Sequence, residues 1–244
     1  MTRLPRTQAR HWLGAALAAV TLATTAPAQS SAPDPRPTVA VLYFTNSALV
    51  RHDEYEPLTK GISEMLITEL AANPAIRVIE RDQIEHLLKE QNLGASDRVD
   101  KETAVKLGKV LGVHHMLMGG FVIDPRETMR IDLRSVNVET SQVEHVESVT
   151  GKAEEVLKLI ADLGAKTNKG LKLPAMPTRA TRPATGQASW RAAQLFSRAL
   201  MERDRGTVDG AIALYKASLE AEPKFERARV LLAALEKQPS GTQQ

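Results

Sequence analysis

The chain has 244 residues, room for one good-sized domain plus an appendage; 43% hydrophobic and 25% charged side chains suit a globular protein, whereas 4% aromatics argue against a base- or sugar-stacking surface. The 32 basic residues exceed the 29 acidic ones by the three arginines Arg3, Arg6 and Arg10, so no basic nucleic-acid footprint remains beyond the N-terminal stretch. There is no cysteine, which excludes disulfides, thiolate metal sites and lipidation of an N-terminal cysteine.

Residues 1–28 read as a secretory signal peptide. The three arginines precede an apolar run from Trp12 to about Ala23, and Ala26-Pro27-Ala28 is a small-residue cleavage site. The apolar run falls short of the about 20 residues that a spanning helix needs. Residues 29–37, with Pro33, Pro35 and Pro37, form an extended spacer.

The first strand runs from Val39 to Phe44, apolar enough to be central in a sheet. A polar loop over 46–56 follows. Pro57 then opens a helix whose stripe is Leu58, Ile62, Met65, Leu66 and Leu70, ending at Asn73-Pro74. Arg77-Val78-Ile79-Glu80 is a short strand. Asp82 is the expected cap of the next helix, with Glu85 three positions on, and Ile84, Leu87, Leu88 and Leu93 form its apolar face. Asp100 caps a further helix bearing Ala104, Leu107 and Leu111, stopped by Gly112. Val113 to Ile123 is a long strand, and Asp124-Pro125-Arg126-Glu127 a hairpin turn. Met129, Ile131 and Leu133 alternate with Arg130, Asp132 and Arg134, so one face of that strand is buried and the other wet. Val143 to Val149 makes a last, more polar edge strand. A helix from Lys152 carries Val156, Leu159, Ile160 and Leu163 on one face. The order β-α-β-α-α-β-β-β-α predicts an α/β fold, a layered mixed sheet with covering helices over 38–173.

Residues 174–188 read as a linker. Beyond it, 189–238 is a small all-α helical tail in which Gly206, Ala211, Tyr215 and Pro223 stand where a tetratricopeptide-like repeat wants turn, small, aromatic and terminating residues. Arg198 and Glu202 depart from that pattern. One repeat plus a helix is fewer than the about three that usually stack on their own. The tail therefore either caps the α/β domain or completes itself on a partner. The proline-containing linker favours separation. Trp190, Phe196, Tyr215 and Leu231 are the candidate partner-binding residues.

Several constellations invite chemistry and have simpler readings. His114-His115 are adjacent on a strand, so they point to opposite faces and cannot chelate one ion. Glu80-Arg81-Asp82 reads as a salt-bridged strand-to-helix corner rather than a catalytic triplet. Gly119-Gly120 lies within a strand and marks close packing or a bulge. Glu144 and Glu147 read as cross-strand partners of Arg130 and Arg134. The sequence therefore names no catalytic, cofactor-binding or metal residue.

The ordered set VAVLYFTN at 39–46, GISEMLITEL at 61–70, the strand ending in Glu80-Arg81, GKVLGVHHMLMGG at 108–120 and RSVNVET at 134–140 resembles the curli secretion and assembly (CsgG/HfaB-type) family, over 38 to about 169. The resemblance implies two roles: an oligomeric export channel, or a periplasmic adaptor such as the related activators of peptidoglycan synthases and flagellar outer-membrane factors. Channel members insert two long amphipathic hairpins, and their relatives include lipoproteins. Here both insertion points read as tight connections, and the lipidation cysteine is missing. The sequence thus predicts a non-enzymatic periplasmic adaptor or assembly factor in outer-membrane or cell-envelope biogenesis. The expectation covers envelope proteins as partners, a homo-oligomer left open, no cofactor, no nucleic acid and at most peripheral association with the outer membrane. A channel component is the first alternative; an envelope hydrolase or metal-binding enzyme is the second.

Overall fold

Five strands form a single sheet of order β2-β1-β3-β4-β5 in the computed structural model, which describes residues 34–93, 99–176 and 187–237. The signal-peptide expectation over 1–28 and most of the linker expectation lie outside the described residues. Strand β1 (Thr38–Asn46) pairs in parallel with the two-residue β2 (Arg77–Val78) and with β3 (His115–Ile123). Strands β4 (Thr128–Asn137) and β5 (Gln142–Lys152) then add antiparallel. Every β1 residue but Thr45 is buried, as the unbroken apolar run requires of a strand covered on both faces.

The helices are α1 (His52–Tyr55), α2 (Leu58–Ala71), α3 (Arg81–Glu90), α4 (Lys101–Leu111), α5 (Val156–Gly170), α6 (Gln187–Asp204), α7 (Val208–Ala221) and α8 (Glu226–Glu236), with a 3-10 turn at Ala153–Glu155. None among the described residues is long and apolar enough to cross a membrane. Helices α2 and α5 lie side by side on the face bearing Leu117, Ile131 and Leu133; a Cβ on Gly164 of α5 would sit 3.2 Å from Glu69 Cβ on α2. Helix α4 covers part of the opposite face, where Gly108 lies against Val138 and Met116.

Local signals account for most boundaries. Asp100 accepts a hydrogen bond from the Thr103 amide at 2.7 Å, and Gly112 ends α4 in the left-handed region at φ 64°. The Asp124 carboxylate accepts from the Arg126 and Thr128 amides, closing a four-residue connection between β3 and β4. A bulge in β1 between Val41 and Phe44 lets Phe44 pack onto Gly119, where a Cβ would fall 2.6 Å from its ring. The glycine pair thus marks close packing, and the bulge lies on the neighbouring strand β1 rather than at the glycines.

Three expectations need correction. The 46–56 segment is not all loop, because α1 forms there and buries Tyr55 against Trp190, ring centroids 5.9 Å apart. Helix α3 starts at Arg81, and its N-cap Glu80 makes no side-chain cap; Asp82 and Glu85 bond other side chains instead. Glu144 and Glu147 do not pair with Arg130 and Arg134. The register sets Leu133 opposite Glu147 and Arg134 opposite Val146, placing Glu147 on the other face from both arginines. Arg130 pairs with Asp132, Glu144 with His115 and Glu147 with Lys166.

The tail does not stand apart. The described residues from Pro35 onward form one unit, with α6 packed along α2. Gly206 makes the turn between α6 and α7 at φ 85°, and Phe196 meets both Tyr215 and Phe225, at 5.8 and 4.8 Å between ring centroids.

Candidate functional site: a buried ionic seam beneath the tail

Helix α2 is buried at every position from Leu58 to Ile67, because the sheet lies on one side of it and the tail on the other. That burial takes Lys60 and Glu64 out of water, and charges so placed must find partners. The partners converge from four other elements: Tyr43 of β1, the start of α3 with Arg81, Asp82 and Glu85, the end of α6 with Arg203 and Asp204, and Arg227 of α8.

Arg81 is the hub, with 1% of its surface exposed. Its guanidinium forks onto Asp204, each nitrogen 2.8 Å from a carboxylate oxygen. It also donates to the Tyr43 hydroxyl at 3.0 Å and to Asp82 at 3.0 Å, and its Nε lies 3.3 Å from Glu64. Lys60 Nζ bridges Asp204 at 2.6 Å and Glu85 at 2.9 Å. The Tyr43 hydroxyl donates to Glu85, Arg227 binds Glu64 and Glu80, and Arg203 binds Asp82. Asp204 ends α6, where the helix dipole disfavours an anion. The Arg81 fork and Lys60 offset that penalty.

The titrations follow from this packing. Burial pushes the Tyr43 phenol well above its ordinary value, with Arg81 opposing, so it stays neutral. Burial, the largest single influence, would lower Arg81, but the Asp204 hydrogen bonds together with the electrostatic pull of Tyr43, Asp204 and Glu64 outweigh it and hold the guanidinium charged. Burial would likewise raise Asp204 and Glu85. Arg81 and Lys60 hold Asp204 below the usual carboxylate value, and Tyr43 and Lys60 hold Glu85 below its own. Every charge in the seam has an opposite partner, so the arrangement binds the tail to the α/β domain in one register.

The four residues expected to meet a partner are placed inside the chain instead. Trp190 is 6% exposed, Phe196 and Tyr215 0% and Leu231 8%. The apolar stripe that suggested them is covered by α2, α1 and the tail's own helices, so these side chains are largely buried within the single chain. His114 and His115 also part company: His114 Nδ1 accepts from the Thr38 amide at 3.1 Å, while His115 Nδ1 meets Glu144 at 2.6 Å. Among the described residues no group of three or more His, Cys, Asp or Glu is placed to hold a metal ion. Sequence reasoning finds Arg81 and Asp82 as a salt-bridged corner but misses Lys60, Glu64, Asp204 and Arg227. The available signal is the mix of small and apolar residues all round α2, which marks a helix buried on every side.

Away from the seam, no described residue covers the sheet face opposite α2 beyond α4 and the 99–101 segment. A trough of about 570 Å³ runs over it, lined by Thr45, Met118, Gly120, Asp132, Arg134 and Val143. Val143 and Val146 at its β5 side are exposed by 47% and 62%.

A family profile described as "curli production assembly/transport component CsgG" matches residues 21–123. Comparison with curated proteins finds no match. Among solved structures, the LpoB C-terminal domain from Salmonella enterica is similar at 13% identity, covering 48% of this chain and 82% of that one, with a TM-score of 0.38. Lipoprotein GNA1162 from Neisseria meningitidis is similar at 14% identity over 47% of this chain and 79% of that one, TM-score 0.37. The PelC dodecamer from Paraburkholderia phytofirmans is similar at 12% identity over 57% and 90%, TM-score 0.34.

Proposed function

We propose that the chain, whose residues 21–123 match the CsgG family profile, serves in the cell envelope as a non-enzymatic adaptor or assembly factor acting through protein–protein contacts. The observation that carries this reading is the shortness of two connections. A membrane hairpin needs two strands of about 9–11 alternating residues each. Between β3 and β4 stand only residues 124–127, tied by the Asp124 carboxylate. After β5 the chain passes at once into the 3-10 turn at Ala153 and then α5. Neither place offers the length that the pore-forming role asks for.

The charged residues support the same reading. Those drawn together at the centre of the molecule are paired with one another, which suits a rigid platform. The open sheet face beyond α4 is the surface left for an envelope protein, from a periplasmic location with at most peripheral contact with the outer membrane. The mature chain should give no stepwise conductance in planar bilayers. It should form a saturable complex with one or a few envelope proteins, recovered by cross-linking in envelope extracts and rebuilt from purified components. Stepwise conductance, or failure to rebuild any such complex, overturns the adaptor reading.

A further inference from the structure

Among the described residues strand β5 is an unpaired edge of the sheet, and the ladder fixes which of its backbone groups look outward. The Asp124 amide bonds Thr128, and Val138 bonds His114, so the even-numbered residues of β4 face β3. The odd-numbered ones face β5, and Ala153 bonding Glu127 continues that alternation. Register then turns Glu147, Val149 and Gly151 inward and leaves Val146, Ser148, Thr150 and Lys152 directed away from the sheet.

Two of these outward positions are stoppered by the chain's own side chains. The Ser148 amide donates to Glu147 Oε1 at 3.0 Å, and the Ser148 carbonyl accepts from Lys166 Nζ at 3.3 Å. Lys166 also meets Glu147 at 3.3 Å, closing a clamp around the edge. At the end of the strand the Lys152 amide donates to Glu155. Lys166 comes from α5, so the clamp ties the edge to the helix layer.

We infer that the β5 edge is a pairing site for the β5 edge of a second copy of this chain, and that the Glu147–Lys166 clamp holds it closed. The strand is its own complement about a two-fold axis through Ser148. Ser148 would bond its equivalent, and Val146 would bond Thr150 of the second copy, with the reverse pair on the other side of the axis. Both crosswise pairs join β-branched residues, the side chains that stabilise cross-strand contacts. Val146, 62% exposed in the single chain, would be covered. Such an interface is isologous and closes at two copies. The clamp competes with it at the axis itself, since the same Ser148 amide and carbonyl cannot serve both. Unpaired strand edges are hazards that proteins block with charged side chains, and here the block is removable.

The test uses the mature chain, which has no cysteine of its own. Ser148→Cys is introduced alone and together with Glu147→Ala and Lys166→Met, which remove the acceptor at the Ser148 amide and the donor at its carbonyl. Hydrogen-bonded antiparallel residues lie about 5.5 Å apart at Cα, within disulfide reach. The clamp-free chain should dimerise at a concentration at least about tenfold lower than the native chain in sedimentation, and the introduced thiol should cross-link it under mild oxidation. Adding Val146→Lys should return it to the monomer. Lys166→Met alone frees the Ser148 carbonyl while keeping Glu147, and it should shift dimerisation in the same direction if the triple variant folds poorly. A clamp-free chain as monomeric as the native one overturns the inference. So does a dimer that the Ser148→Cys thiol does not cross-link, or one that survives Val146→Lys.

Discussion

Gly61 of α2 and Ser197 of α6 touch so closely that a Cβ built on Gly61 would fall 2.7 Å from Ser197 Cβ. The absence of a side chain at Gly61 brings the tail near enough for Asp204, further along the same helix, to meet Arg81. Glycine within a helix costs about 0.5–1 kcal/mol against alanine, so the helix gives up intrinsic stability for this approach.

Gly61→Ala should therefore destabilise the chain despite the gain in helix propensity. Overpacking of this kind costs about 1–3 kcal/mol, and the clash is with a neighbour rooted in another helix. Combining it with Ser197→Gly should recover part of the loss. Denaturant melts of the two single variants and the pair read the coupling; strict additivity would mean that the helices separate freely.

Removal of the hub leaves its partners charged and buried. Arg81→Met takes the central counter-ion from Asp204, Glu64 and Glu85 and leaves Lys60 and Arg227 to offset three buried carboxylates; breaking one side of a buried pair costs about 3–5 kcal/mol, an upper bound here. Asp204→Asn should weaken the seam in the same direction. Thermal or chemical unfolding measures both.

Acid should loosen the tail in a defined window. Asp204 and Glu85 are held below their ordinary values of 3.8 and 4.5, so their stabilisation is complete above about pH 4.5 and is lost as pH falls through the depressed folded values. The chain should lose stability on acidification below that point. The Asp204→Asn, Glu85→Gln pair should show a flatter pH profile than the native chain between about pH 5 and pH 3.

Leu87 and Leu107 are 6% and 3% exposed, in α3 and α4. Leu→Ala at such sites costs about 2–5 kcal/mol. Losses well under about 1 kcal/mol at both would show that neither helix is packed as described.

Ending the chain after Pro174 removes Arg203, Asp204 and Arg227 while keeping Lys60, Glu64 and Arg81. The remainder should be markedly less stable than the full chain and should expose apolar α2 surface, measured by melting and by binding of a hydrophobic dye. A truncated chain that melts like the full one would mean that the seam contributes nothing.

Where local chemistry decides structure, the sequence is readable. Asp100 and Gly112 bracket α4 because a cap and a left-handed stop act within a turn of their own residue. The alternation of Met129, Ile131 and Leu133 with Arg130, Asp132 and Arg134 marks the buried face of β4. Asp82 and Glu85 mislead because a capping pair and two arms of an ion cluster look alike in sequence. The stripe of Trp190, Phe196 and Tyr215 announces burial without saying what does the burying. That answer depends on α2, more than a hundred positions earlier. No local pattern encodes the meeting of Arg81 with Asp204, or the register that puts Glu147 beside Lys166.

The seam also imposes an order of events on the chain as it is made. Arg81 and Asp204 are separated by 123 positions, so the ribosome releases the α/β segment well before its last counter-ion exists. Domains fold as they emerge, N-terminal parts first, and contacts this distant in sequence form late. Until α6 arrives, Arg81, Lys60 and Glu64 stay hydrated and α2 keeps one side open to solvent. The arrival of α6, at the ribosome or on the far side of the membrane, is thus the step that dries and closes the centre of the molecule. A chain cut short anywhere before Asp204 carries an uncovered patch, visible to the proteases and chaperones that police incomplete products.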